Sequence, residues 1–211
     1  TTELVGQYCT LERLDADKHA ALLYRSFDGH DALWDYMAFG PFASSSLYHR
    51  WAREAESKDD PYFYVIKESA SGQYCGVASL MRIEPASGVI EAGSITFAPM
   101  LQRTRAATEA IYLLMRWTFE AGYRRFEWKC DAKNIPSRRA GQRLGLSYEG
   151  IFRQHMVIKG KNRDTAWFAA VDGEWPALRE AFDFWLSPAN FDAKGQQRER
   201  LSDLTGLVRS A

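Results

Sequence analysis

The chain has 211 residues, 46% hydrophobic and 26% charged, which suits one ordinary domain with at most a small appendage and excludes a disordered chain. Lys plus Arg equals Asp plus Glu at 27 each, so nothing suggests a whole-domain footprint for nucleic acid or an anionic membrane. Cys9, Cys75 and Cys130 are odd in number and widely spaced without a Cys/His cluster, which argues against a disulfide framework or a metal site.

Taken in order, Cys9 to Leu14 alternates loosely as a short strand. Asp15-Ala16-Asp17 then offers N-caps for a helix through His19 to Ser26. Leu33 to Phe42 is crowded with aromatics, and Gly40-Pro41 breaks any helix there. Ser44 to Ser57 is expected to be helical, with Leu47, Trp51 and Ala55 about one turn apart. Three strands follow with short turns between them: Tyr62–Lys67, Cys75–Arg82 and Val89–Phe97. Thr104 to Ala121 is the longest helical pattern, stopped by Gly122.

Beyond it, Arg125–Cys130 reads as a strand and Asn134–Leu144 as a helix, capped by Asn134 or Ser137 and ended by Gly145. Tyr148–Lys159 and Thr165–Val171 are strands flanking a turn at Lys159 to Asn162. A last helix starts after Pro176 and runs to about Leu186. We therefore expect one domain over residues 1–187. The polar tail over 188–211 is either a short helix near Gln196–Leu207 or partly disordered. This order suggests an α/β (α+β) fold, a mixed and mostly antiparallel sheet with helices on both faces. Without an apolar leader or a bilayer-length apolar run, a soluble cytoplasmic protein is expected.

The chemically informative stretch is Phe97-Ala98-Pro99-Met100-Leu101-Gln102-Arg103-Thr104-Arg105-Ala106-Ala107-Thr108-Glu109-Ala110. A strand ends and a long helix begins across a short connection bearing two arginines. The first N–H groups of a helix lack internal partners and carry partial positive charge, which suits a phosphate. Small residues at Ala106 and Ala107 would admit a pyrophosphate, and Arg103 and Arg105 would supply charge-assisted bonds. A solvated basic turn is the plain alternative.

This segment resembles the cofactor loop of the GNAT acetyltransferases, Gln/Arg-x-x-Gly-x-Gly/Ala followed by a helix. Gln102 and Ala107 match its ends, and Arg105 stands where the central glycine is expected. Ala107-Thr108-Glu109-Ala110 is similar to the helix opening of the ribosomal-protein N-terminal acetyltransferase branch. So is Asn134-x-x-Ser137 followed by Leu144-Gly145-Leu146, with Glu149-Gly150, Arg153 and Asn162-Arg163-Asp164 continuing the match.

The resemblance implies a GNAT fold and direct acetyl transfer from acetyl-CoA to a primary amine, either a protein N-terminus or a small amine, without metal, nucleic acid or membrane. Gln102, Arg103, Thr104, Arg105, Ala106 and Ala107 would hold the pyrophosphate, and Asn134 and Ser137 the pantetheine arm. Ser137 would also donate to the departing thiolate, since the position where many members carry Tyr is Gly141. Glu91 would act as base near the acceptor. Trp34, Tyr36, Phe39 and Phe42 would wall the acceptor site with His155 nearby, although for any single one of those aromatics packing between the first helices and the sheet is the favoured reading. Cys130 reads as a core residue, and no GxSxG-like nucleophile motif is present. The departures at Arg105 and Gly141 leave a rival reading, a non-catalytic CoA-binding sensor. Phe182, Phe184 and Trp185 on the last helix give it surface to dock on the domain or on a second subunit, as in a homodimer.

Overall fold

A computed structural model describes residues 3–209, which divide into two compact units. The first comprises residues up to Ile83 and Ile90–Met115; the second comprises Glu84–Val89 and the residues from Arg116 onward.

In the first unit five strands lie in chain order: β1 (Glu3–Val5), β2 (Cys9–Arg13), β3 (Tyr62–Glu68), β4 (Tyr74–Glu84) and β5 (Val89–Phe97). β1 to β4 pair antiparallel, with Leu4 opposite Leu11, Leu11 opposite Ile66 and Val65 opposite Val77. Only four residues join β4 to β5, too few for a parallel crossover. Helix α1 (Ala16–Phe27) starts at Asp15, whose Oδ1 accepts the Lys18 N–H at 2.9 Å. It buries Ala16, His19, Ala20, Leu23 and Phe27, one apolar stripe at helical spacing. Helix α2 (Ser45–Glu56), capped by the Ser44 hydroxyl on the Leu47 N–H, packs on α1 and β3.

The 31–42 stretch folds into an aromatic cluster and not a helix of normal length. Trp34 meets Phe27 and Phe42 edge-on at 5.4 and 5.8 Å, and Phe42 meets Tyr48 edge-on at 5.1 Å. Gly40 has φ +70, and a Cβ there would lie 2.2 Å from the Trp34 ring, so only glycine lets the chain close over that indole. Full burial of each such ring is worth about 1.5–3 kcal/mol.

Helix α3 (Arg105–Glu120) carries the chain out of the first unit. The second unit adds β6 (Arg125–Asp131), β7 (Ser147–Ile158) and β8 (Lys161–Val171), ordered β6-β8-β7 and antiparallel throughout. Lys159 and Gly160 both have positive φ, the twist that closes a two-residue hairpin. Helix α4 (Ile135–Arg143) covers these strands, with Gly141 buried beneath Trp128 and Phe168.

Helix α5 (Trp175–Leu186) buries Phe182 and Trp185 inside this unit, while Phe184 stays 54% exposed. The polar tail builds into the same unit. Trp185 Nε1 donates to Gln197 Oε1 at 2.9 Å, and the buried Asn190 amide donates to the Trp185 carbonyl at 3.0 Å. The tail then ends in helix α6 (Leu201–Arg209), which packs on α4 and α5. There Thr205, fully buried, donates to the Arg143 carbonyl at 2.9 Å.

Candidate active site

The expected residues fall into two sets, one in each unit. Glu91, Gln102–Ala107, Trp34, Tyr36 and Phe39 belong to the first unit; Asn134, Ser137 and His155 belong to the second.

In the first unit, Thr104 caps α3. Its hydroxyl donates to the Leu101 carbonyl at 2.6 Å and accepts the Ala107 N–H at 3.2 Å, and its carbonyl takes the Thr108 N–H. Gln102 turns back, Nε2 donating to the Phe97 carbonyl at 3.0 Å, which braces the strand end. The left-handed residue of the loop is Arg103, at φ +61, and not Arg105. Arg105 is the first helical residue, so the arginine in the glycine position of the motif requires no unusual backbone. Ala106 and Ala107 are buried, and the first turn of α3 holds no acidic residue.

Arg105 directs its guanidinium over the Tyr8 ring, 4.3 Å from the centroid. Burial pushes the Tyr8 phenol up, with Arg105 acting against it. One turn along α3, Glu109 is 4% exposed and accepts the N–H groups of Gln7, Tyr8 and Cys9 at 2.8, 2.6 and 2.9 Å. The β1–β2 turn, closed by the Gly6 N–H on the Cys9 carbonyl, is thereby fastened to the first turns of α3.

Glu91 is 3% exposed, and Arg82 Nη1 lies 2.6 Å from its Oε2. Arg82 itself has φ +46, and the Asp60 carboxylate accepts the N–H groups of Arg82 and Ile83 at 2.9 and 3.0 Å. Next to Glu91, β5 is irregular: Ser94 has φ +49, and the Gly93 carbonyl accepts the Ser79 hydroxyl at 2.9 Å. Of the aromatics, Trp34 is 4% exposed and packed, Phe39 leans on Trp51 at 4.8 Å, and Tyr36 is 43% exposed. Tyr36 is thus the member of this set most open to a ligand.

In the second unit Asn134 caps α4, Oδ1 accepting the Ser137 N–H at 3.3 Å. Ser137 Oγ accepts the Trp128 indole N–H at 3.1 Å. A hydroxyl that accepts a hydrogen bond becomes a better donor through its own proton. At Gly141 a Cβ would sit 3.3 Å from Trp128, so this helix face is packed on the sheet and has no room for a tyrosine. His155 is exposed, Nδ1 at 2.8 Å from Thr165 Oγ1, with its ring beside Phe152 and Trp167.

All three cysteines are buried and free, and burial raises each thiol, Cys75 to about 11. Among the described residues no group of His, Cys, Asp and Glu is placed to hold a metal ion, and no helix is long and apolar enough to cross a membrane. Sequence reasoning did not single out Tyr8 or Arg82. The one local hint was Gly6, where a Cβ would lie 2.5 Å from the Glu109 carboxylate.

The element around Thr104 is a strand, a short loop and a long helix with a capped, arginine-bearing start. The model of the acetyltransferase (GNAT) domain matches residues 9–147, and the chain belongs to the GNAT family. The fold is similar to that of a GCN5-related N-acetyltransferase from Brucella melitensis, at TM-score 0.94 and 45% identity over 97% of this chain and 94% of that one. A probable GNAT acetyltransferase from Chromobacterium violaceum is 41% identical over 83% of this chain and 89% of its own, at TM-score 0.80. The ribosomal L7/L12 alpha-N-protein acetyltransferase RimL shares the fold at TM-score 0.69 and 20% identity, over 79% of this chain and 92% of its own. No curated protein matches the sequence. The expected α/β GNAT fold is therefore met, and the protein is an acetyltransferase.

Proposed function

We propose that this acetyltransferase takes its acetyl group from acetyl-CoA and passes it directly to a primary amine, a protein N-terminus or a small amine. The observation that carries this reading is the start of α3: two arginines, buried alanines and no acid around a helix terminus. Those residues fit a pyrophosphate, with Arg103 and Arg105 flanking it at the positive end of the helix. When bound, the thioester supplies an activated acetyl group and a good leaving group.

The chain's own residues have simple tasks in this scheme. Glu91 takes the proton that the amine loses as its nitrogen attacks the thioester carbon, directly or through a water. As the carbon–sulfur bond breaks, Ser137 donates a hydrogen bond to the departing sulfur, and Asn134 holds Ser137 at the helix start. Tyr36 and Phe39 offer aromatic faces to the incoming amine, and His155 a polar edge. Three buried, protonated thiols support direct transfer over an acyl-cysteine route. The cysteine pattern and balanced charge favour a cytoplasmic enzyme with neither nucleic-acid nor membrane partners.

The test is a thermal-shift titration with CoA and acetyl-CoA on the native protein and on Arg103→Ala/Arg105→Ala. Ligand at a hundred times its Kd adds about 2.7 kcal/mol. A rise in melting temperature that shrinks in the double variant supports the loop assignment. No shift at millimolar ligand overturns it. An acceptor screen then follows intact mass, because each N-terminus or small amine that is a substrate gains one acetyl group.

A further inference from the structure

Arg105 sits at the wrong end of its helix. A cation in the first turn opposes the helix dipole and destabilises the helix. Nothing acidic in that turn offsets it. Yet the side chain is not left to solvent, because its guanidinium lies over the Tyr8 ring at 4.3 Å. Tyr8 is itself anchored: its N–H donates to Glu109 at 2.6 Å and its carbonyl accepts the Ser69 N–H at 2.9 Å. Glu109 stands one helical turn after Arg105 on the same face of α3, so Arg105 and Glu109 grip the same turn of chain. The excluded Cβ at Gly6 shows how close that grip is.

We propose that Tyr8 is a positioning residue for the cofactor: through its ring it presents the Arg105 guanidinium to a phosphate group, making the β1–β2 turn part of the phosphate site. The proposal rests on the acetyl-CoA reading above. A held guanidinium loses less freedom on binding than a solvated one, so the benefit of Tyr8 appears as affinity for the phosphate-bearing end of the ligand. The thioester end plays no part in it. CoA offers two sources of this chemistry, the pyrophosphate and the 3′-phosphate, and dephospho-CoA carries only the first.

The experiment measures Kd by calorimetry for CoA and dephospho-CoA on the native protein and on Tyr8→Phe, Tyr8→Leu, Arg105→Gln and Tyr8→Leu/Arg105→Gln. Melting curves confirm that each variant is folded at the titration temperature. Tyr8→Leu is expected to weaken CoA about two- to fivefold, the equivalent of one partly exposed cation–π contact. Tyr8→Phe keeps the ring and is expected to recover most of that loss. Arg105→Gln is expected to weaken CoA more, and adding Tyr8→Leu to it should change nothing further. If the same losses hold for dephospho-CoA, Arg105 faces the pyrophosphate; if they vanish, it faces the 3′-phosphate. Unchanged affinity in Tyr8→Leu, or losses that simply add in the double variant, overturn the positioning role while leaving the acetyl-CoA reading intact. If the native protein binds neither ligand, the acetyl-CoA reading falls and takes this proposal with it.

Discussion

Glu109 is the residue whose loss should cost the first unit most for its size. Its carboxylate accepts three backbone N–H groups from a single turn and is 4% exposed. A hydrogen bond to a charged group contributes about 1.5–3 kcal/mol, and water can re-enter the part of the turn that lies near the surface. Glu109→Ala is therefore expected to cost about 4 kcal/mol, short of the full sum of three such bonds. For a chain of this length each kcal/mol lowers the melting temperature by about 2–4 °C, so the drop should be about 8–16 °C by calorimetry. Gly6→Ala should also destabilise, by about 2 kcal/mol, because its Cβ would need space now filled by the carboxylate. In Glu109→Ala/Gly6→Ala that space is vacant, and the double variant should melt close to Glu109→Ala alone. A Glu109→Ala protein melting within 2 °C or so of the native one would refute the reasoning. Strict additivity of the two substitutions would refute the geometry.

Other outcomes follow from the same kind of argument. His19 is 1% exposed, its Nδ1 accepts the Asp15 N–H at 3.0 Å, and burial holds its pKa below the usual value. The unfolded chain binds this proton more readily, so stability is whole above about pH 6.5 and falls as pH drops through that value. Urea midpoints from pH 7.5 to 5 should decline in the native protein and stay flatter in His19→Gln; equal slopes would remove His19 from the account. Arg103→Gly relaxes a left-handed residue and is expected to leave stability unchanged or raise it by about 1 kcal/mol, while CoA binding weakens. A chemical-denaturation curve with a calorimetric titration reads both effects. Ser137→Ala is expected to lower kcat about 10²-fold with little change in the KM for acetyl-CoA, and to leave the Trp128 indole N–H without its partner. A wild-type kcat would take Ser137 out of the chemistry. Gly141→Tyr should destabilise and should not raise activity, because the position is walled by Trp128 and Phe168.

Much of the fold was legible because its elements carry strong periods and clear punctuation. The strand Val89–Phe97 was read to the residue, and α3 and α4 to within a residue at each end. β1 escaped notice because it is three residues long with only Leu4 buried. The tail was hard to read for a related reason: α6 buries Leu201 and Thr205 among polar neighbours, too little for a visible apolar stripe. The loop over 102–107 stands out by its motif, but the motif does not tell which residue carries positive φ, and the structure places it at Arg103. Tyr8 and Arg82 were invisible for a different reason. Tyr8 and Glu109 are 101 residues apart in sequence, and Arg82 and Glu91 meet across neighbouring strands, so no local pattern brings either pair together. The aromatics of 34–42 illustrate the opposite problem. Composition announces them, yet only packing separates the buried Trp34 from the open Tyr36.

The seating of the tail also bears on how the molecule comes into being on the ribosome. Every residue of the first unit precedes Arg116 in the chain, so this unit can begin to close while the rest of the chain is still being made. The second unit cannot. The last carbonyl of α4, at Arg143, waits for a hydroxyl 62 residues downstream, and Trp185 waits for Gln197. Until Thr205 has emerged from the exit tunnel, Leu178 and Trp185 lack their final cover, and it is during this interval that a nascent chain has most need of a chaperone.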